Sequence, residues 1–471
     1  MMKFGIYLVL PTLLIGCVSP QERSTPDYTQ APGFSSFDGA EDRAESPLRW
    51  WTVFEDTVLN ERVEAALANN QDLSVAWERM RAARALADVV ASDQSPDLDA
   101  TGGLSRDESL DSGNDRTEIS LGLAASYEVD LWGRIQSLSE AAALRAEASE
   151  ADYRAAAISL SSSVSITWYQ LAATVLQIEL VQSQIDTNQT FLNLLQERFN
   201  VGLLRGADVS RQKQLVESTR EQKILLQSQF ELLEHQLAVL EGVPAQMQDV
   251  LPEAGLPQLP TAPKAGLPAT LLQRRPDIRA AWLRLDAADQ DLAAAVSDQY
   301  PRLNLTASLE TAAERPGDLF EDWLFSIAGQ AIAPLIDGGE RRAEVKRNEA
   351  VKRQAIAAYS QAVLIAFAEV EDALSLEARR ADRLASLQEQ LRHANDAVDS
   401  LRVQFLNGAG DYLAVLTAIQ AKQQLERDII SARFDLISAR IALHRTLAGG
   451  FETPHDGGDE TEQRDRDAND D

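Results

Sequence analysis

This chain repeats itself, and the repeat limits its fold more than any other feature. Laying residues 66 to 104 onto 271 to 309, a shift of 205 without a gap, matches 14 of 39 places, among them Asp72, Trp77, Arg79, Ser92, Asp93, Gln94, Pro96, Leu98, Thr101 and Leu104. At a shift of 206 the likeness continues through Val129 and Leu335, Gly133 and Gly339, Tyr153 and Tyr359, Phe199 and Phe405, and Gly202 and Gly408. The chain reads as two copies of one unit, so whatever one copy builds the other builds again.

Each copy changes its hydrophobic period in the same order. Residues 58 to 93 and 270 to 298 read as helices, the second opened by Pro276 at a first helical position with Asp277 beside it. The period then falls to two. Glu118 to Val129 sets Ile119, Leu121, Leu123, Ala125, Tyr127 and Val129 against Ser120, Gly122, Ala124, Ser126 and Glu128. Leu303, Leu305, Ala307 and Leu309 share one face of the next strand, and Trp323, Phe325, Ile327, Gly329 and Ala331 do so in the last. Asp97 to Ser105 is a weaker strand, and polar loops near 106 to 116 and 314 to 321 join the pairs.

A glycine turn at Leu131-Trp132-Gly133 or Ile336-Asp337-Gly338-Gly339 follows each strand pair. From Arg134 to about Val201 there is then neither proline nor glycine, and one unbroken helix of that length would run about 100 Å. Val164, Trp168, Leu171, Val175, Ile178, Ile185, Leu192 and Phe199 mark a heptad seam with Gln182, Gln189 and Gln196 in its remaining places. Val370, Leu374, Leu384, Leu391, Val398 and Phe405 repeat it, with Gln388, Asn395 and Arg402 between them. A seven-residue repeat predicts coiled-coil packing, and its polar places predict a seam that is not fully dry. Each long helix ends in a glycine turn, Asn200-Val201-Gly202 or Leu406-Asn407-Gly408, and a returning helix follows. The Pro-rich stretch Pro244 to Pro268 joins the copies.

Composition narrows the function. A net charge of −29 repels phosphate backbones and removes nucleic acid as a partner. A single cysteine, Cys17, allows neither an intramolecular disulfide nor a cysteine metal cluster. His235, His393, His444 and His455 have no metal-ligand spacing, and no phosphate loop or nucleophile motif is present, so neither an enzyme nor a metal site is expected. Lys3, the apolar run Phe4 to Ile15 and small Gly16 before Cys17 read as a secretion signal too short to span a bilayer permanently. Leu14-Ile15-Gly16-Cys17 resembles a bacterial lipobox, which predicts a lipid on Cys17 as the one covalent addition and no other cofactor. A plain signal peptide containing a cysteine is the alternative. Val18 in place of aspartate favours the outer membrane.

The domain reading is a signal peptide at 1–16 and a lipid-anchored tether at 17–49. A first repeat covers 50–255, with strands at about 97–130 and a helical hairpin at 134–242. A second covers 256–450, with strands at about 302–336 and a hairpin at 340–448. The run 451–471, whose last twenty residues hold nine acids against two arginines, reads as a disordered acidic tail.

Four amphipathic strands of about nine to twelve residues are long enough to cross a bilayer at a tilt. Four cannot close a barrel, and an open edge in lipid leaves backbone groups unpaired at several kcal/mol each. Closure needs more chains; two give eight strands with a filled interior, and three give twelve with a lumen.

Tyr127-Glu128-Val129-Asp130-Leu131-Trp132-Gly133-Arg134, Leu271-Leu272-Gln273-Arg274-Arg275-Pro276-Asp277-Ile278, Pro334-Leu335-Ile336-Asp337-Gly338-Gly339 and Glu369-Val370-Glu371-Asp372-Ala373-Leu374 resemble motifs of the TolC-like outer membrane factor family, NodT/OprM-type lipoprotein branch. The resemblance runs from about Trp50 to Gly450. It implies a mainly α fold with a transmembrane β part: a homotrimer whose 12-stranded β-barrel in the outer membrane of a Gram-negative bacterium continues into a 12-helix periplasmic α-barrel. It implies an exit duct for a tripartite efflux or type I secretion system, with a periplasmic adaptor and an inner-membrane transporter as partners. The cargo is left open. A lipid-anchored periplasmic coiled-coil adaptor is the alternative, and it leaves the four strands without a purpose.

Most motif residues carry structural readings. Asp130 and Asp337 stand where a carboxylate caps the helices that follow, and Trp77 and Trp282 read as matched packing residues. Glu369, Glu371 and Asp372 are not gathered on one helix face and read as surface or intersubunit contacts. Val201, Gly202, Leu203, Leu204, Asn407 and Gly408 are the candidate adaptor-docking tips, with helix C-capping as the bland alternative. Asp411 is the candidate periplasmic gate: three copies some 6 Å apart would repel by about 3 kcal/mol per pair at an effective dielectric near 20. The start of a helix is its alternative role.

Overall fold

A computed structural model describes residues 47–108, 115–245, 255–263, 274–448, 450, 451 and 453–455. The signal, Cys17, most of the tether and the last sixteen residues lie outside the described residues. A short 3-10 turn, Trp50–Phe54, is followed by α1 (Thr57–Asn69), α2 (Gln71–Ser92), β1 (Asp97–Glu108), β2 (Asp115–Val129), α3 (Arg134–Asn200) and α4 (Gly206–Leu240). Then come α5 (Pro276–Ser297), β3 (Arg302–Ala313), β4 (Leu324–Ile332), α6 (Glu340–Leu406) and α7 (Tyr412–Leu447). The helix expected over 58 to 93 is therefore two. Asn70 ends α1 in an extended conformation, and its side chain accepts from the Leu73 N–H to cap α2 at 2.9 Å.

The four strands form one antiparallel sheet in the order β1-β2-β3-β4. Registers such as Leu98 with Ala125, Leu123 with Leu309 and Ala307 with Ile327 put the alternating apolar residues on one face. The Ser308 and Ser326 hydroxyls meet at 2.7 Å on the other. β1 and β2 run further than expected, to Glu108 and from Asp115. β4 stops at Ile332, two residues before Pro334, which has no N–H to offer a ladder.

The long helices are continuous, each of 67 residues. Gly133 and Gly339, at φ 76° and 91°, turn the chain from strand to helix. The expected carboxylate caps are in place: Asp130 accepts from the Gln136 N–H at 2.8 Å, and Asp337 from the Gly339 N–H at 2.9 Å. Those backbone donors, Gly339 and then Arg341, hold the Asp337 carboxyl below its ordinary range.

Helix α3 is central. Its first half packs between α2 and α5, its second between α4 and α7, and α6 runs along the outer side of α5 and α7. Sheet and helix layers thus share an arrangement, with two inner elements and two open edges. The predicted seam of α3 needs correction. Phe199 is 47% exposed, and the buried side-chain amides are those of Gln184 and Asn188 rather than those of Gln182, Gln189 and Gln196. A helix with two neighbours carries two overlapping seams, and one heptad frame follows only one of them.

The largest core lies at the waist, where Trp50, Trp51, Phe54, Leu59 and Trp77 pack with Tyr153, Val164, Trp168 and Tyr169 of α3 and with Ile437 and Ile441 of α7. The C-terminal segment returns to it. Phe451 meets Trp51 edge-on at 4.9 Å, the hydroxyls of Tyr153 and Thr453 lie 2.5 Å apart, and His455 stacks on Trp77 at 5.5 Å. Residues 451 and 453 to 455 therefore pack on the waist and are not part of a disordered tail. Phe451 supplies apolar surface that the waist buries, and eight of the nine acids come after His455. Glu369 is also corrected: it accepts from the buried Arg275 at 2.7 Å, so two of the family-like motifs meet in one ion pair inside the chain.

Candidate functional site: helix tips and open edges

At the end of α3, Gly202 N–H donates to the Phe199 carbonyl at 2.9 Å and Leu203 N–H to Arg198 at 2.9 Å, with Gly202 at φ 78°. At the end of α6, Gly408 N–H donates to Phe405 at 3.1 Å and Ala409 N–H to Gln404 at 2.9 Å, with Gly408 at φ 76°. Both are paired 6→1 and 5→2 caps, which only a residue tolerant of positive φ closes without strain. Asn407 and Gly408 are exposed, and Val201 and Leu203 are 69% and 67% exposed. Leu204 is not part of that apolar surface, because it packs inward on the cluster behind the tips.

That cluster joins the two hairpins. Phe191, Leu192 and Leu195 of α3, Val209 of α4, Phe405 of α6, and Tyr412, Val415 and Leu416 of α7 pack together, and the Arg198 guanidinium lies 5.0 Å over the Phe405 ring. A buried polar ladder continues from it. The Tyr412 hydroxyl donates to Gln212 at 2.7 Å, Gln212 donates to the Asn188 carbonyl at 2.8 Å, and Gln423 donates to the Asn188 side chain at 3.0 Å. Burial, with Asp208 close by, pushes the Tyr412 phenol above its ordinary range, so it stays a hydrogen-bond donor. Sequence reasoning missed this ladder, whose only signal was polar residues at inward places on three different helices.

Asp411 is exposed and caps α7, its carboxylate accepting from the Leu413 N–H at 3.3 Å.

The edges are apolar where no element of this chain covers them. Leu98 and Leu104 on β1, Phe325 and Ile327 on β4, Ile224 and Leu232 on α4, and Leu364 and Ile365 on α6 are all exposed. Among the described residues no group of acidic, histidine or cysteine side chains has the arrangement of a metal site.

The model of the outer membrane efflux protein family matches this chain twice, over residues 63–243 and 267–449. The pyoverdine export outer membrane protein OpmQ of Pseudomonas aeruginosa is 31% identical, covering 96% of this chain and 98% of its own. Outer membrane protein OprJ of the same organism is 30% identical over 95% and 96%. The solved outer-membrane channel OprN superposes with a TM-score of 0.84 at 30% identity, covering 92% of this chain and 99% of its own. CusC, solved in a study of folding and transmembrane channel formation, superposes with a TM-score of 0.84 at 25% identity over 92% and 100%. Matched over both halves and along nearly its whole length, the chain belongs to the outer membrane efflux protein family.

Proposed function

We propose that three copies of this chain close edge to edge into a twelve-stranded barrel in the outer membrane and a helical tunnel below it, and that the duct passes cargo outward from an inner-membrane transporter and its periplasmic adaptor. One observation carries this reading: among the described residues, sheet and helix layers both stop at two edges that no element of this chain covers, and the outermost strands and helices expose apolar side chains. An open β edge in hydrocarbon leaves a row of unpaired N–H and C=O groups at several kcal/mol each, and a neighbouring copy supplies the missing ladder. Heat-modifiable migration of the outer-membrane fraction on a gel is the test. A compact oligomeric band that collapses to a 51.6 kDa chain or slightly less on boiling is expected, and a single unchanged band refutes closure.

The finer roles rest on this frame. A lipid on Cys17 anchors the mature chain, and Cys17→Ser abolishes acyl labelling if it does. The tips around Val201, Gly202, Leu203, Asn407 and Gly408 dock the adaptor, because Val201 and Leu203 expose apolar side chains at a turn. Leu204 serves that surface from behind. Leu203→Glu then weakens adaptor cross-linking and leaves the oligomer intact. Asp411 is the gate candidate: its carboxylate is exposed beside the tip, and threefold symmetry would gather three copies around one axis.

A further inference from the structure

The two faces of the sheet differ in charge as well as polarity. The apolar face presents Leu98, Leu123, Leu309 and Phe325 without an ionised group between them. On the other face lie Asp97, in register with Ser126, Asp99, with Ala124, and Glu310, with Gly122. An ionised carboxylate within a membrane-spanning strand must face water, because its transfer to hydrocarbon costs several kcal/mol. In a closed barrel these three acids therefore line the lumen.

The remaining charges at this level are compensated. Glu128 accepts from Arg134 at 2.8 Å, and Arg302 pairs with Asp298. Asp97, Asp99 and Glu310 have no cationic partner among the described residues. Closing the barrel supplies none at the seam beside β1, since β4, with the sequence LFSIAGQAI, contains no charged residue. Glu310 also has a prepared seat. A Cβ added to Gly122 would come within 3.0 Å of the Glu310 Cγ and 3.1 Å of the Thr101 hydroxyl oxygen, so the glycine lets this side chain lie along the wall.

We propose that the outer-membrane end of this duct is itself charge-selective: Glu310, seated by Gly122, acts with Asp97 and Asp99 as an acidic lining that favours cationic and neutral cargo over anionic cargo. Three uncompensated acids per chain become nine in a trimer, spread over three levels of the lumen. The inference rests on the closed trimer proposed above. Glu310 is a specificity-determining residue that needs no contact with a particular substrate, and Gly122 positions it.

Reversal potentials of the purified full chain in planar bilayers under a potassium chloride gradient test this, compared near 0.01 M and near 1 M salt. The Debye length falls from about 30 Å to about 3 Å between those limits, so a lining set back on the wall selects mainly at low salt. The wild type is expected to prefer potassium. Glu310→Gln combined with Asp99→Asn should lower the potassium-to-chloride permeability ratio at least twofold at low salt, and Glu310→Asp should retain it. Gly122→Ala, which changes no charge, should also shift the ratio. Channels that conduct but keep the wild-type ratio when Glu310 and Asp99 are neutralised overturn the acidic lining and leave the closed barrel standing. If the purified full chain forms no closed oligomer, the barrel fails and the lining falls with it.

Discussion

Helices α3 and α6 are the same element built twice and placed in different surroundings. Each has 67 residues, yet 28 are buried in α3 and nine in α6. The matched pair Ile158 and Leu364 shows the difference most simply, at 5% and 50% exposure. Ile158 belongs to the waist core, whereas Leu364 faces outward from the edge of the layer. Duplication therefore preserved the length and the caps, and position in the layer decided which copy became core. The apolar side chains that α6 retains on its outer side need a partner that one chain does not provide.

Matched substitutions would break or sharpen that contrast. The largest effect is expected from Ile158→Ala, which leaves a hole in a packed core and should cost about 2–5 kcal/mol. The chemical denaturation midpoint of the solubilised protein measures it. Leu364→Ala should change the stability of the single chain by no more than about 0.5 kcal/mol. Equal losses at the two places would end the distinction between a core helix and an edge helix.

A somewhat smaller effect comes from α7, the helix that packs on both. His444 is 2% exposed, stacks on Trp50 at 5.9 Å, and is pushed down to about 4 by burial and then by Arg440. Its folded pKa lies below the unfolded value of about 6.5, so between those pH values the unfolded chain binds the proton that the folded chain refuses. The stabilisation is complete above about pH 6.5 and is lost as the pH falls to about 4, a change of about 3 kcal/mol. Unfolding across that window measures the slope. Replacing His444 with Phe should flatten it, and an unaltered slope would assign it to other groups.

The smallest effect on one chain should be the most decisive for assembly. Leu364→Glu together with Ile365→Glu puts charge on exposed surface and should leave helical content unchanged. The same charges should dissociate the oligomer, read by size-exclusion chromatography with light scattering in detergent. An intact oligomer would show that this edge of α6 is solvent-facing.

Much of this architecture was legible because periodicity reports local geometry. Alternation at Ile119, Leu121 and Leu123 located β2, and Gly133 and Gly339 located the starts of both long helices. Where one residue serves several neighbours, the pattern blurred. Asn188 meets Gln212 and Gln423, from two different helices, so the heptad frame through Gln189 missed the buried polar place. The break at Asn70 had a signal in the Asn69-Asn70 pair, since asparagine is a favoured N-cap. Return of the C-terminal segment to the waist rests on Phe451, Thr453 and His455, which carry no apolar period for the sequence to reveal. Asp411 shows the limit at the candidate site: its capping role was readable from one chain, whereas a gate exists only between chains.

The intact mass of the full chain released from the outer membrane in detergent, measured by native mass spectrometry, tests the edge-to-edge closure most directly. Particles of three chains are expected, each chain slightly below 51.6 kDa after loss of its signal segment and heavier by the acyl groups on Cys17. Conducting particles that contain one or two chains would contradict a barrel closed by three copies.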